Sequence, residues 1–357
     1  MNAATRKKKD IQQGTQGDAM DIGFPPEGIA YLLDGSPLNQ QSFKAWKKLS
    51  LSERIQVNSE HLSHAVIPWH ELLNQSILPS KIYDYYYIFM HVPKAGGTTL
   101  QHIIAKNYLP NQFVHANSSQ IHKNPACLYH AKRKAIRPLV MGHFDRSCIL
   151  YNLLCDRPII HFTMLRDPVQ RILSHYRYLQ GNVVHGKHQE VKAMSLEQYA
   201  SSTIKELQNK QTLRILGDGS RAAQIQSLND PEPLFKAAKQ VLEHEFSLFG
   251  LTEKYTQFLL MAKKALNWED IFYQRKNTSK KQPSSDSDKE LDKSDKTYQQ
   301  GLKIIHERNQ LDIRLYDFAY ELFEKRYQEL NLKPNAEAQY EQSNHLYQNI
   351  LSTMSNI

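Results

Sequence analysis

The chain has 357 residues, 40% of them hydrophobic, and sets 45 Lys and Arg against 36 Asp and Glu for a formal net charge of +9. That length can bury a full core, and no apolar run approaches the roughly 18 residues of a membrane-spanning helix. Three cysteines, Cys127, Cys148 and Cys155, form neither an even framework nor a CxxC pair, which argues against a disulfide scaffold or a zinc ribbon.

Residues 1–18 carry the charge cluster Arg6-Lys7-Lys8-Lys9 with no apolar core after it, so they read as a disordered N-terminus and not as a secretory signal or anchor. With the unpaired cysteines, this points to a reduced, cytoplasmic setting. Residues 19–80 mix Pro, Gly and amphipathic pieces such as Phe43 to Ile55, and are expected to pack on the core or to help shape a cleft.

Tyr85 to Tyr108 reads as strand, turn and helix. Tyr85 to Val92 is an aromatic and apolar run of strand length. Pro93-Lys94-Ala95-Gly96-Gly97 breaks it, and Leu100, Ile103, Ile104 and Tyr108 recur at helical spacing. Glycines let the backbone approach an anion, and a helix start aims free N–H groups at it. Lys94 adds a positive charge, and Thr98 and Thr99 add hydroxyls. The spacing predicts a phosphate-binding loop that is not a Walker sequence, because Lys94 precedes the glycines.

Leu139-Val140-Met141-Gly142-His143-Phe144 gives a short strand ending in Gly-His, and His143 is the best-placed candidate for a general base. His91 and His161 read as packed side chains, and His102 as structural. Pro158 to Leu165 is a further strand, ending in Arg166. Asp167 suits an N-cap and Pro168 the first helical position. Val169, Ile172, Leu173 and Tyr176 make the apolar stripe of the helix that follows, with Arg171, Ser174 and Tyr178 off it. An Arg leaving the carboxyl end of a strand stands where open α/β sheets bind ligands.

Together the two motifs resemble the sulfotransferases that use 3′-phosphoadenosine 5′-phosphosulfate (PAPS). PKAGGTT is similar to their 5′-phosphosulfate loop. Arg166-Asp167-Pro168, with Ser174 eight residues after the Arg, is similar to their 3′-phosphate site, and Gly142-His143 to their Gly-His segment. Weaker likenesses run on to Tyr327. They include Asn209-Lys210-Gln211-Thr212-Leu213-Arg214, Phe249 to Glu253, and Arg275 to Lys281, which is like the basic loop over the nucleotide in heparan and uronyl 2-O-sulfotransferases. The resemblance implies PAPS as co-substrate, held by Lys94 to Thr99, Arg166, Ser174, Arg275 and Lys276. It implies His143 as base and Lys94 as the cation at the leaving oxygen, with a carbohydrate or glycoconjugate acceptor.

Strand-like runs near 85–92, 138–144, 158–165 and 246–251 alternate with helical patterns near 99–108, 168–179, 196–209, 234–245, 254–266 and 302–328. This predicts a three-layer, P-loop-like α/β domain over residues 81–330, with a mainly parallel sheet flanked by helices. A polar loop at about 276–297 and a tail at 331–357 complete the layout. HExxH is absent and the His61/His64 pair lacks a third ligand, so no metal is expected. Dispersed basic residues without a nucleic-acid motif exclude nucleic acid as the expected partner. Two alternatives stay open: a nucleoside or small-molecule kinase of related architecture, and a non-catalytic nucleotide- or glycan-binding protein on the same fold.

Overall fold

Tyr86–Met90 forms β1, buried at every residue. A strand apolar on both faces belongs in the middle of a parallel sheet with helices on each side. The other strands are β2 (Phe113–His115), β3 (Tyr129–His130), β4 (Ala135–Ile136), β5 (Leu139–Gly142), β6 (Ile159–Leu165) and β7 (Leu248–Leu251). The computed structural model describes residue 24 and residues 30–75, 77–130, 132–217, 231–274 and 294–354.

The five-stranded sheet runs β2-β5-β1-β6-β7 with every pairing parallel, while β3 and β4 make a small antiparallel hairpin. The α/β architecture with a mainly parallel sheet is therefore the one the sequence predicts. Met90 pairs with Gly142 on one side and Thr163 on the other, so the central strands end nearly level. Their outgoing loops leave side by side. The edge strand β2 has no counterpart in the sequence reading, because three half-exposed or exposed residues carry too little alternation to register.

Two expected helices are interrupted. The span 196–209 divides into a helix at Leu196–Ser201 and a 3-10 turn at Lys205–Leu207. It ends at Asn209, whose φ of 42° starts a new helix, Lys210–Leu216. The span 302–328 lies in two helices, Lys296–Arg308 and Gln310–Gln328, with Asn309 between them. The two breaks interlock: Asn209 N–H donates to the Asn309 side chain at 2.9 Å, and Asn309 Nδ2 donates to the Leu207 carbonyl at 2.9 Å. Asn side chains that bond backbone groups compete with helix continuation, which a count of apolar positions does not show.

Residues 40–74 are mostly helical and share the main core through Phe43, Trp46, Leu62, Trp69 and Leu72. Ile67 N–H donates to the Ile159 carbonyl at 2.9 Å, tying this segment to the start of β6. Beyond residue 330 lies a helix, Ala336–Met354, which accepts the Tyr273 N–H on Asn344 Oδ1 at 2.8 Å. The basic segment with Arg275 and Lys276, and the polar loop after it as far as residue 293, fall outside the described residues.

Candidate active site

The loops leaving β1, β5, β6 and β7 meet at one cleft of about 890 Å3. Lys94, Gly96, Gly97, Thr98, Thr99, His143, Arg166 and Ser174 all line it. Ala95 is fully buried behind the turn. Residues predicted separately along some 80 positions of sequence thus come together because a parallel sheet puts all its carboxyl ends on one side.

The glycine turn is built for close approach. Lys94 and Gly96 have φ of 68° and 77°, and Gly96 caps the helix Gly97–Asn107 with no side chain bonded to its first N–H groups. Those donors are left for an anion, at the positive end of the helix dipole. Only a glycine fits at position 97: a Cβ there would stand 2.1 Å from His91 Cδ2.

His143 follows β5, and its Nδ1 lies 2.9 Å from the His91 carbonyl oxygen. The two imidazoles stack with centroids 4.4 Å apart. Burial lowers the pKa of His143; the bond to His91 opposes the shift and Arg214 adds to it. The ring is therefore neutral near pH 7. Burial, with His143 beside it, pushes His91 down to about 2. Gly142 lets β5 pass the neighbouring loop, since a Cβ there would sit 1.8 Å from the Ala116 carbonyl oxygen.

Arg166 is fixed by its backbone. Its N–H donates to Gln211 Oε1 at 2.9 Å, and Gln211 Nε2 returns a bond to its carbonyl at 2.8 Å. Gln211 is in turn held by Asp312, which is fully buried and accepts from the Gln211 and Thr212 N–H groups at 3.1 and 2.7 Å. The guanidinium reaches the turn, donating from Nη1 to the Lys94 carbonyl at 3.2 Å. Its ion-pair partner is Glu253 at 3.7 Å. That pair runs from Nε, which makes no hydrogen bond, to Glu253 Oε1.

Several cleft residues were not singled out by the sequence reading. His175 places Nδ1 2.5 Å from the Tyr199 hydroxyl, and burial holds it at about 4. Burial raises the Glu206 carboxyl, but Lys210, Arg171 and Arg214 together keep it below its ordinary value. His175 adjoins Ser174, the one available signal; a carboxylate on a short 3-10 turn offers none. Among the described residues no group of three or more His, Cys, Asp or Glu is arranged to hold a metal ion.

The site thus offers two anion positions, one at the helix start beside Lys94 and one at Arg166 and Ser174, with a neutral imidazole beside them. A profile of the Sulfotransferase family matches residues 83–319. The chain belongs to that family. This sulfotransferase is similar to heparan-sulfate 6-O-sulfotransferase 1 of Cricetulus griseus, 26% identical over 285 residues, which span 68% of each chain. The same enzyme of Homo sapiens is 26% identical, over 68% of this chain and 66% of its own. Heparan-sulfate 6-O-sulfotransferase 2 of Gallus gallus is 26% identical over 300 residues, 70% of each. The chain spans about two thirds of the length of these relatives, which are 6-O enzymes and not the 2-O group that the basic loop resembles.

Membership implies PAPS as the sulfate donor of this sulfotransferase. The residues present fit such a molecule. A Cβ at Gly97 would meet the His91 ring, the helix start has uncapped donors, and the Lys94 and Arg166 cations line the same cleft.

Proposed function

We propose that the protein moves a sulfuryl group from PAPS to a hydroxyl of a carbohydrate or glycoconjugate acceptor. One observation supports this above the others: the Lys94–Thr99 turn, the Arg166/Ser174 pair and His143 line a single cleft. The turn and Lys94 hold the 5′-phosphosulfate end, and Arg166 with Ser174 holds the 3′-phosphate, where a guanidinium can grip phosphate oxygens in pairs. The donor supplies an activated sulfuryl group. His143 Nε2 takes the acceptor hydroxyl proton, and the Lys94 ammonium meets the charge that develops on the leaving oxygen.

The acceptor in this reading is an anionic glycan of the heparan type, as the names of the relatives and the formal charge of +9 both favour. A reduced, cytoplasmic setting belongs to the same reading, on the strength of three cysteines without a disulfide.

Thermal shift tests the donor and label transfer tests the acceptor. The 3′,5′-bisphosphate product at about 100 times its Kd should add about 2.7 kcal/mol of stability, with AMP and magnesium ATP doing much less. Label from PAPS should then enter N-sulfated heparosan oligosaccharides. Stabilisation by magnesium ATP alone would overturn the donor assignment, and labelling of a neutral glycan in preference to heparosan would overturn the acceptor class.

A further inference from the structure

Lys94, the only cation of the glycine turn, has an aromatic neighbour. Its Nζ stands 4.1 Å from the centroid of the Tyr178 ring. The helix Pro168–Gly181 supplies that ring, and Tyr178 lies four residues beyond Ser174 on the same helical face. Both side chains line the cleft with Lys94. The ring is steadied at its side by His185, edge-on with centroids 5.6 Å apart.

The lysine has little freedom at its root. Its backbone sits in the left-handed region that a residue with a Cβ adopts only when its surroundings impose it. The turn is pinned by Ala95 N–H on the Val92 carbonyl at 3.3 Å and by Arg166 on the Lys94 carbonyl at 3.2 Å. What remains loose is the four-carbon stem, whose ordering carries an entropic cost. A cation on a ring face recovers part of that cost before any ligand arrives. A carboxylate in that place would have to be displaced by an incoming anion of the same sign, whereas the ring leaves the charge available.

We propose that Tyr178 is a positioning residue for Lys94: its ring face holds the ammonium over the anion site, so that a 5′-phosphate or phosphosulfate meets a charge already in place. This rests on the reading of the cleft as a PAPS site. It makes Tyr178 part of the donor machinery although it makes no required contact with the donor.

Calorimetric Kd values for adenosine 3′,5′-bisphosphate and for adenosine 3′-phosphate, which has no group for Lys94, separate positioning from general damage. The proteins are wild type, Tyr178→Phe, Tyr178→Leu, Lys94→Ala and the double variant Lys94→Ala/Tyr178→Leu. Tyr178→Phe should stay within about twofold for both ligands. Tyr178→Leu should weaken the bisphosphate about three- to tenfold, the range of a partly buried cation–π contact, and leave the 3′-phosphate within about twofold. The double variant should bind no more weakly than Lys94→Ala, because the two residues act as one unit. Equal losses for both ligands, no loss at all, or full additivity with Lys94→Ala would each overturn the proposal. A wild type that binds no bisphosphate would overturn the donor reading and this inference with it.

Discussion

His143 Nδ1 lies 2.9 Å from the carbonyl oxygen of His91, and this one contact sets the chemistry of the ring. A carbonyl only accepts, so Nδ1 carries the proton and Nε2 keeps its lone pair. The residue before the phosphate-binding turn thereby fixes the tautomer of the candidate base. His143→Ala should leave bisphosphate affinity within about twofold and lower kcat by about 10²- to 10⁴-fold, the usual worth of a positioned base. His175→Ala is the control and should retain most turnover. Because burial lowers the His143 pKa, the rate should rise with pH through a value below the ordinary imidazole range and be level at pH 7. Near wild-type kcat in His143→Ala, on an acceptor the wild type sulfates, would end the assignment.

Arg166 is predicted to read the 3′-phosphate. Arg166→Ala should weaken PAPS about 10- to 100-fold, as expected for a charge-assisted pair. Adenosine 5′-phosphosulfate, which lacks that phosphate, should be affected far less; equal losses would refute the role. Gln211→Ala removes both bonds that hold the Arg166 backbone, at 2.9 and 2.8 Å, and should produce a smaller loss of about three- to tenfold with the same ligand preference.

Much of this site was legible because short motifs sat where strands hand over to helices. The glycine turn, the Arg-Asp-Pro start and Gly-His each follow an apolar run, and a parallel sheet brings such junctions together without further information. Long-range bonds were not legible. Asn209, Asn309, Gln211 and Asp312 form one buried brace whose members lie about 100 residues apart in the chain, and it divides two helices that apolar spacing joins. Tyr178 was visible as a residue off the apolar stripe, but its meeting with Lys94 depends on a crossing of helix and turn that spacing does not encode.

Gly97 should not tolerate a methyl group. A Cβ there meets His91 Cδ2 and Nε2 at 2.1 and 2.2 Å. The His91 ring cannot step aside, because it stacks on Phe89 at 5.5 Å and on His143 at 4.4 Å. Gly97→Ala should lose about 2 to 4 kcal/mol of stability in urea unfolding, together with bisphosphate binding. Gly181, where a Cβ would meet nothing within 4 Å, is the contrast. Gly181→Ala should be neutral or stabilising by up to about 1 kcal/mol. Equal effects at the two positions would remove the steric argument.

Stability should fall in mild acid because of buried neutral histidines. Burial sets His91 at about 2 and His161 at about 3. Burial outweighs the bond from His161 Nδ1 to the Glu245 carbonyl at 2.7 Å, which favours the charged ring, and the neutral ring accepts on Nε2 from the Tyr151 hydroxyl at 3.0 Å. In the unfolded chain both rings titrate near 6.5. Below that pH the unfolded state binds more protons than the folded one, so stability rises with pH and is lost as pH falls. Each ring contributes at most about 1.4 kcal/mol per pH unit between about 6.5 and its folded value. Urea unfolding at pH 7.5 and 5.5 should therefore differ by roughly 2 to 3 kcal/mol from this pair, with His175 adding in the same direction. Equal stability at the two pH values would mean that both rings titrate in the fold as they do in the unfolded chain, and would remove the argument.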